Sequence, residues 1–133
     1  MIAAIADTHT AIWYLFADPR LGKGAFQFIA QTIASGDHIG ISAISFAEMV
    51  YLIEKGRIEA NSLHDLLAAI ADPQDVLRQV VLDDAIAVAM RRVPRQDIPD
   101  LPDRVIAATA LLHGIPVLSR DSRIRSSSIK TIW

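Results

Sequence analysis

The chain has 133 residues, a net charge of −2 and no cysteine, which fits one domain with a core of its own, rules out a disulfide framework and suits a reducing cytoplasm. Hydrophobic residues make up 52 % of the sequence and the mean hydropathy is +0.32. Charges nevertheless interrupt every apolar stretch before the ~18 residues of a membrane span, and Asp7 breaks the first run too early for a signal peptide.

The first element is the apolar run Ile2 to Ala6, which stops at Asp7. A run this short, followed by a helical pattern, reads as a buried strand feeding a helix. That helix covers Thr10 to Phe16, with Thr8 or Thr10 as its N-cap, and ends at Asp18-Pro19. A second helix spans Lys23 to Ser35 and stops at Gly36, where a left-handed cap is expected. Asp37 to Ile41 reads as a strand, and Ser42 to Lys55 as a helix closed by Gly56. Ser62 opens an amphipathic helix carrying Leu63, Leu66, Leu67 and Ile70, which ends at Asp72-Pro73. Val76 to Leu82 has strand character. Asp83 and Asp84 open a helix that closes at Arg91 and Arg92. A Pro-rich loop, Pro94 to Pro102, leads to a long helix that begins at Asp103 and stops at His113-Gly114. Pro116 to Ser119 is a short strand, and Ser127 to Trp133 supplies an edge strand. Alternating strands and helices predict a single α/β domain over residues 1–133, a mostly parallel sheet covered by helices on both faces.

Four acids stand out, each with an ordinary structural explanation beside the functional one. Asp7 ends a strand near the middle of the sheet and is also placed to cap the next helix. Glu48 completes the capping box Ser45-Phe46-Ala47-Glu48. Its helical neighbours Ile44, Tyr51 and Leu52 are apolar or aromatic, which argues for an inward-facing carboxylate in need of a cation or donor. Asp103 sits at a helix mouth, where Asp100 or Asp103 serves as cap and the helix N-terminus favours an ionised acid. Asp121 follows a strand in an Arg-Asp-Ser turn. In a parallel sheet these positions share one rim. Carboxylates crowded there repel one another unless cations neutralise them, and hard oxygen donors select Mg²⁺ or Mn²⁺.

Four blocks carry a resemblance. They are Ile5-Ala6-Asp7-Thr8-His9 followed by Trp13; Ile41 to Glu48; Asp100 to Ala110; and Pro116 to Asp121. In this order they resemble PIN-domain nucleases, and more closely the VapC-type toxins of bacterial toxin–antitoxin pairs. The resemblance implies a PIN-like three-layer α/β/α fold. It implies a cytoplasmic, Mg²⁺- or Mn²⁺-dependent ribonuclease whose catalytic and metal-holding acids match Asp7, Glu48, Asp103 and Asp121. It also implies a VapB-type antitoxin that wraps the toxin, and a homodimer. Ser119 stands where the family often has Thr, and the fourth acid, Asp121, is the most variable of the set.

Other residues have two readings each. His9 is a general base, or packs against the first helix. Arg104 contacts phosphate, or pairs with an acid. Arg91, Arg92 and Arg95 contact RNA, or are helix-end and loop charges. Arg120, Arg123, Arg125 and Lys130 offset the acidic rim, or solubilise the chain. Trp13, Tyr14 and Phe16 are core, or join Leu63, Leu66 and Leu67 in a groove for an antitoxin helix. Rival readings of the whole are an inactive PIN-fold binding module and a Mg²⁺-binding, phospho-accepting receiver-like domain.

Overall fold

The computed structural model describes residues 1–133. The elements run β1 (Ile2–Ala6), α1 (Thr8–Leu15), α2 (Lys23–Ala34), β2 (His38–Ser42), α3 (Ala43–Glu54), α4 (Ser62–Ala71), β3 (Leu77–Val80), α5 (Asp84–Ala89), α6 (Leu101–His113), β4 (Val117–Leu118), α7 (Ser122–Arg125) and β5 (Thr131–Ile132). A 3-10 turn, Met90–Arg92, extends α5. The five strands form one sheet in the order β3-β2-β1-β4-β5, with every neighbouring pair parallel. The expected α/β architecture is therefore present, and β1 is the central strand. The receiver-like alternative fails here, because that fold carries the order 2-1-3-4-5.

Period-two alternation divides the core between the two faces of the sheet. Ala4 and Ala6 of β1 face one way, with Ile39, Ile41, Leu77 and Leu118, under α1, α2, α3 and α4. Ile5 and Val117 face the other way, beneath α5 and α6. Along α6, Val105 through Ala110 are all buried, and three of those six are alanines. The small side chains of α6 let it pack against Ile5 of the central strand. Gly40 does the same inside β2, since a Cβ there would lie 2.8 Å from both the Ile5 and Val80 side chains.

Element ends differ from expectation in ways that have physical causes. Asp7 caps α1, as one of its two readings expected, its side chain accepting from the Thr10 N–H, and neither Thr8 nor Thr10 takes that place. The Ser45–Glu48 capping box does not form. Ser42 caps α3 one turn earlier, accepting from Ile44 N–H, so Ser45 and Glu48 lie inside the helix. Helix α6 starts at Leu101 rather than Asp103, with Asp100 as cap and Pro102 in the first turn. It ends at Gly114, whose φ of 66° is the left-handed cap. Asp121 does more than make a turn: it caps the short helix α7, accepting from the Arg123 and Ile124 N–H groups. The tail does add an edge strand, β5, parallel to β4.

Candidate active site

The order of the sheet reverses at β1. The chain steps outward from β1 through β2 to β3, then returns to the far side of β1 for β4 and β5. At such a switch point the connections leave opposite ways, and a crevice opens beyond the carboxyl ends of the strands. Asp7 follows β1 there, and Ser119 and Asp121 follow β4. From the helices, α3 contributes Glu48, and the first turn of α6 contributes Asp103.

A cleft of about 250 Å³ opens at this point, lined by Asp7, Thr8, His9, Trp13, Glu48, Asp100, Asp103, Arg120 and Asp121. All four acids singled out in the sequence are in it. The structure brings together residues separated by as many as 114 positions, through two strand ends and two helices.

Each carboxylate is held differently. Asp7 is only 8 % exposed. One of its oxygens accepts the Thr10 N–H at 2.9 Å, and the other accepts a short bond from the Ser119 hydroxyl. Ser119 Oγ in turn accepts the Asp121 N–H at 2.9 Å, so one hydroxyl links the ends of β1 and β4. Thr10 adds a further tie by donating its hydroxyl to the Leu118 carbonyl at 2.9 Å. Glu48 accepts from the Thr8 hydroxyl, and that hydroxyl lies 2.9 Å from the Ser45 hydroxyl. Asp121 spends an oxygen on capping α7. Asp103 commits only its backbone N–H, to Asp100 at 3.1 Å.

The electrostatics follow from this crowding. Burial pushes the Asp103 carboxyl up to about 8, and repulsion from Asp100, Asp121, Asp7 and Glu48 adds to it. Glu48 is raised as well, first by burial. The Thr8 hydrogen bond and His9 oppose that rise, while Asp100 and Asp7 reinforce it. The cleft is therefore a concentration of negative charge that its own cations do not cancel. Its five carboxylates offer oxygen donors, the chemistry that suits a hard divalent ion, and His9 is the one nitrogen donor beside them. The side chains line one cleft without being gathered into a ready ion-holding group.

Residues 4–129 match the family model described as PIN domain. The chain belongs to the PIN domain family. Within that family it is 29 % identical over 126 residues to Ribonuclease VapC22 of Mycobacterium tuberculosis, covering 95 % of this chain and 92 % of that protein. Its PIN fold also superposes on solved structures. One is VapBC2 from Rickettsia felis bound to a promoter DNA fragment, with a TM-score of 0.68 and 14 % identity, covering 98 % of this chain and 97 % of that one. Another is FitAcB from Neisseria gonorrhoeae, with a TM-score of 0.61 and 19 % identity, covering 98 % and 96 %. A toxin–antitoxin complex from Klebsiella pneumoniae gives a TM-score of 0.59 at 21 % identity, covering 98 % and 97 %.

The other sequence candidates are sorted by where the PIN fold puts them. His9 lines the cleft but leans on Trp13, ring centroids 5.6 Å apart, as its structural reading requires. Arg104 neither faces the cleft nor pairs with an acid. It donates to the Val93 and Met90 carbonyls at 2.8 and 2.9 Å, pinning the 3-10 turn to α6. Arg91, Arg92 and Arg95 are exposed and outside the cleft. Of the C-terminal cations only Arg120 reaches it. Trp13 is core and Phe16 is 41 % exposed. Tyr51, expected to face inward beside Glu48, is 66 % exposed. Sequence reasoning gave Asp100 a capping role alone, yet it also lines the cleft. The three-residue spacing of Asp100 and Asp103 across a helix start was the available signal, since it puts both on one side of the first turn. Thr8 as the partner of Glu48 had no such signal, because 40 residues separate them.

Proposed function

We propose that this chain is a divalent-cation-dependent ribonuclease, the toxin of a type II toxin–antitoxin pair. The observation that carries the reading is the convergence of Asp7, Glu48, Asp103 and Asp121 on one cleft at the switch point of the sheet. The 29 % identity to a protein named a ribonuclease supports the choice of substrate. The fold shared with toxin–antitoxin complexes supports a VapB-type antitoxin partner. A homodimer and a cytoplasmic location belong to the same reading. No helix is long and apolar enough to cross a membrane.

Asp7 and Asp103 would hold the principal ion, Mg²⁺ or Mn²⁺, with Glu48 completing the set and Asp121 acting at a second position or through water. When bound, the ion supplies charge neutralisation at the scissile phosphate and activation of the attacking water. The chain's own residues prepare the site. Ser119 and Thr10 fix both oxygens of Asp7. Thr8 sets the rotamer of Glu48. Contrary to the expectation that the start of α6 keeps Asp103 ionised, burial and four neighbouring acids hold it up at about 8, so a cation bound there would take the place of its proton. Water adds to phosphorus, the bond to the leaving oxygen breaks, and the products are a phosphate monoester and a hydroxyl. Single-stranded or looped RNA fits best, because its backbone is exposed.

The test is cleavage of labelled RNA with Mn²⁺, with Mg²⁺ and with EDTA, by the parent and by Asp7→Asn. Cleavage is expected only with a divalent ion and only by the parent. Equal rates for the two proteins in Mn²⁺ would remove the site assignment. Binding without cleavage under any ion would leave an inactive binding module.

A further inference from the structure

Arg120 is the one Lys or Arg among the residues lining the acidic cleft. It is exposed, and it takes part in neither of the chain's ion pairs, Arg20 with Asp18 and the N-terminal amine with Asp37. Its guanidinium carbon instead lies 4.6 Å from the centroid of the Trp13 ring. A cation surrounded by carboxylates thus rests on an indole face rather than on an acid.

The surroundings of Trp13 make that arrangement specific. The ring is 5 % exposed and is braced edge-on by Trp133, centroids 5.8 Å apart. A second guanidinium, that of Arg20, approaches it at 5.1 Å. Arg20 is committed, however: its Nε and Nη2 donate to the two Asp18 oxygens at 3.0 and 2.8 Å. The indole is therefore fixed, Arg20 is occupied, and Arg120 keeps its forked donors free. A guanidinium matches a phosphate with two parallel N–H bonds, a stronger contact than stacking on an aromatic face at an exposed site.

Resting on the ribonuclease reading, we propose that Arg120 leaves Trp13 to grip a backbone phosphate of RNA in the cleft. Its place between Ser119 and Asp121 puts that phosphate beside the ends of β1 and β4. The grip sets where the strand lies and acts on binding more than on the chemical step. Trp13 is the resting place that keeps Arg120 from collapsing onto the carboxylates when RNA is absent.

The experiment measures anisotropy of a short labelled single-stranded RNA across a salt series in EDTA, with the parent, Arg120→Ala and Arg120→Lys, then cleavage kinetics in Mn²⁺. Arg120→Ala is expected to bind roughly tenfold more weakly, and its slope of log K against log salt should be shallower by about 0.7, one phosphate contact. Its KM rises while kcat stays within about twofold of the parent. The change in tryptophan emission that RNA causes in the parent is lost in Arg120→Ala, and Arg120→Lys recovers the salt slope. Equal affinity and slope in parent and Arg120→Ala, with cleavage intact, overturns the role of Arg120 and leaves the nuclease reading standing. The expected difference in slope without cleavage under any ion overturns the nuclease reading alone. A parent that neither binds RNA in EDTA nor cleaves it in Mn²⁺ overturns both.

Discussion

Asp103 is the residue on which the character of the cleft turns. Its carboxyl is raised to about 8 from an ordinary value of 3.8, by burial and then by four neighbouring acids. Between about pH 4 and pH 8 the folded protein keeps a proton there that the unfolded chain has lost. Folding stability therefore falls as pH rises through that window, provided no cation is bound. Thermal melts of EDTA-treated protein at a series of pH values should show this decline, and, if the cleft takes the ion as proposed, saturating Mg²⁺ should flatten it. Asp103→Asn removes the charge without breaking a side-chain hydrogen bond, since only the backbone N–H of Asp103 is engaged. At pH 8 to 9, without ion, this variant should be more stable than the parent by on the order of 1 kcal/mol, allowing for solvent screening. If the chain is the nuclease proposed, this variant should also be inactive on RNA. A stabilised but silent variant is the ordinary sign of strain kept for function.

Element ends hold the next two predictions. Gly24 lies in the first turn of α2, where an added Cβ would collide with the Trp133 backbone oxygen. Gly24→Ala should push the C-terminal strand away and cost about 1–3 kcal/mol in chemical denaturation, as overpacking does. Ser62, at the start of α4, is fully buried and its hydroxyl finds no partner. Ser62→Ala should stabilise the protein by about 1 kcal/mol in the same assay. Such details mark the limit of what the sequence makes legible. Strand and helix order could be read from apolar period and from Gly and Pro stops, and the four acids from their places beside those stops. Which oxygen caps which helix could be narrowed to a few candidates, Asp7 and Asp100 among them, and no further. Several Ser, Thr and Asp residues compete within two or three positions, and the winner depends on tertiary partners. Asp7 prevails over Thr8 because the Thr8 hydroxyl is drawn away to Glu48 on α3. The Ser45–Glu48 box was a local pattern that Ser42 pre-empted from one turn upstream.

At the scale of the molecule, a bound ion should act as a stabiliser. If the cleft takes Mn²⁺ as proposed, Mn²⁺ at ~100 times its Kd adds about 2.7 kcal/mol, seen as a rise in melting temperature that Asp7→Asn abolishes. The apolar surplus in the composition is partly spent on the surface. Phe26, Val81, Val88 and Leu101 are each more than half exposed, as a chain that meets a partner would leave them. The tight packing of β1 against α6 has a genetic consequence. Ala107, Ala108 and Ala110, which pack on the Ile5 face of β1, are all 0 % exposed, leaving no room for an added methyl group. An Ala→Val change at any of them wedges apart the two elements that carry Asp7 and Asp103. If the chain is the toxin proposed, cells selected to survive its unopposed expression should carry such buried alanine changes alongside losses of the acids themselves. The target for escape would then extend beyond the cleft.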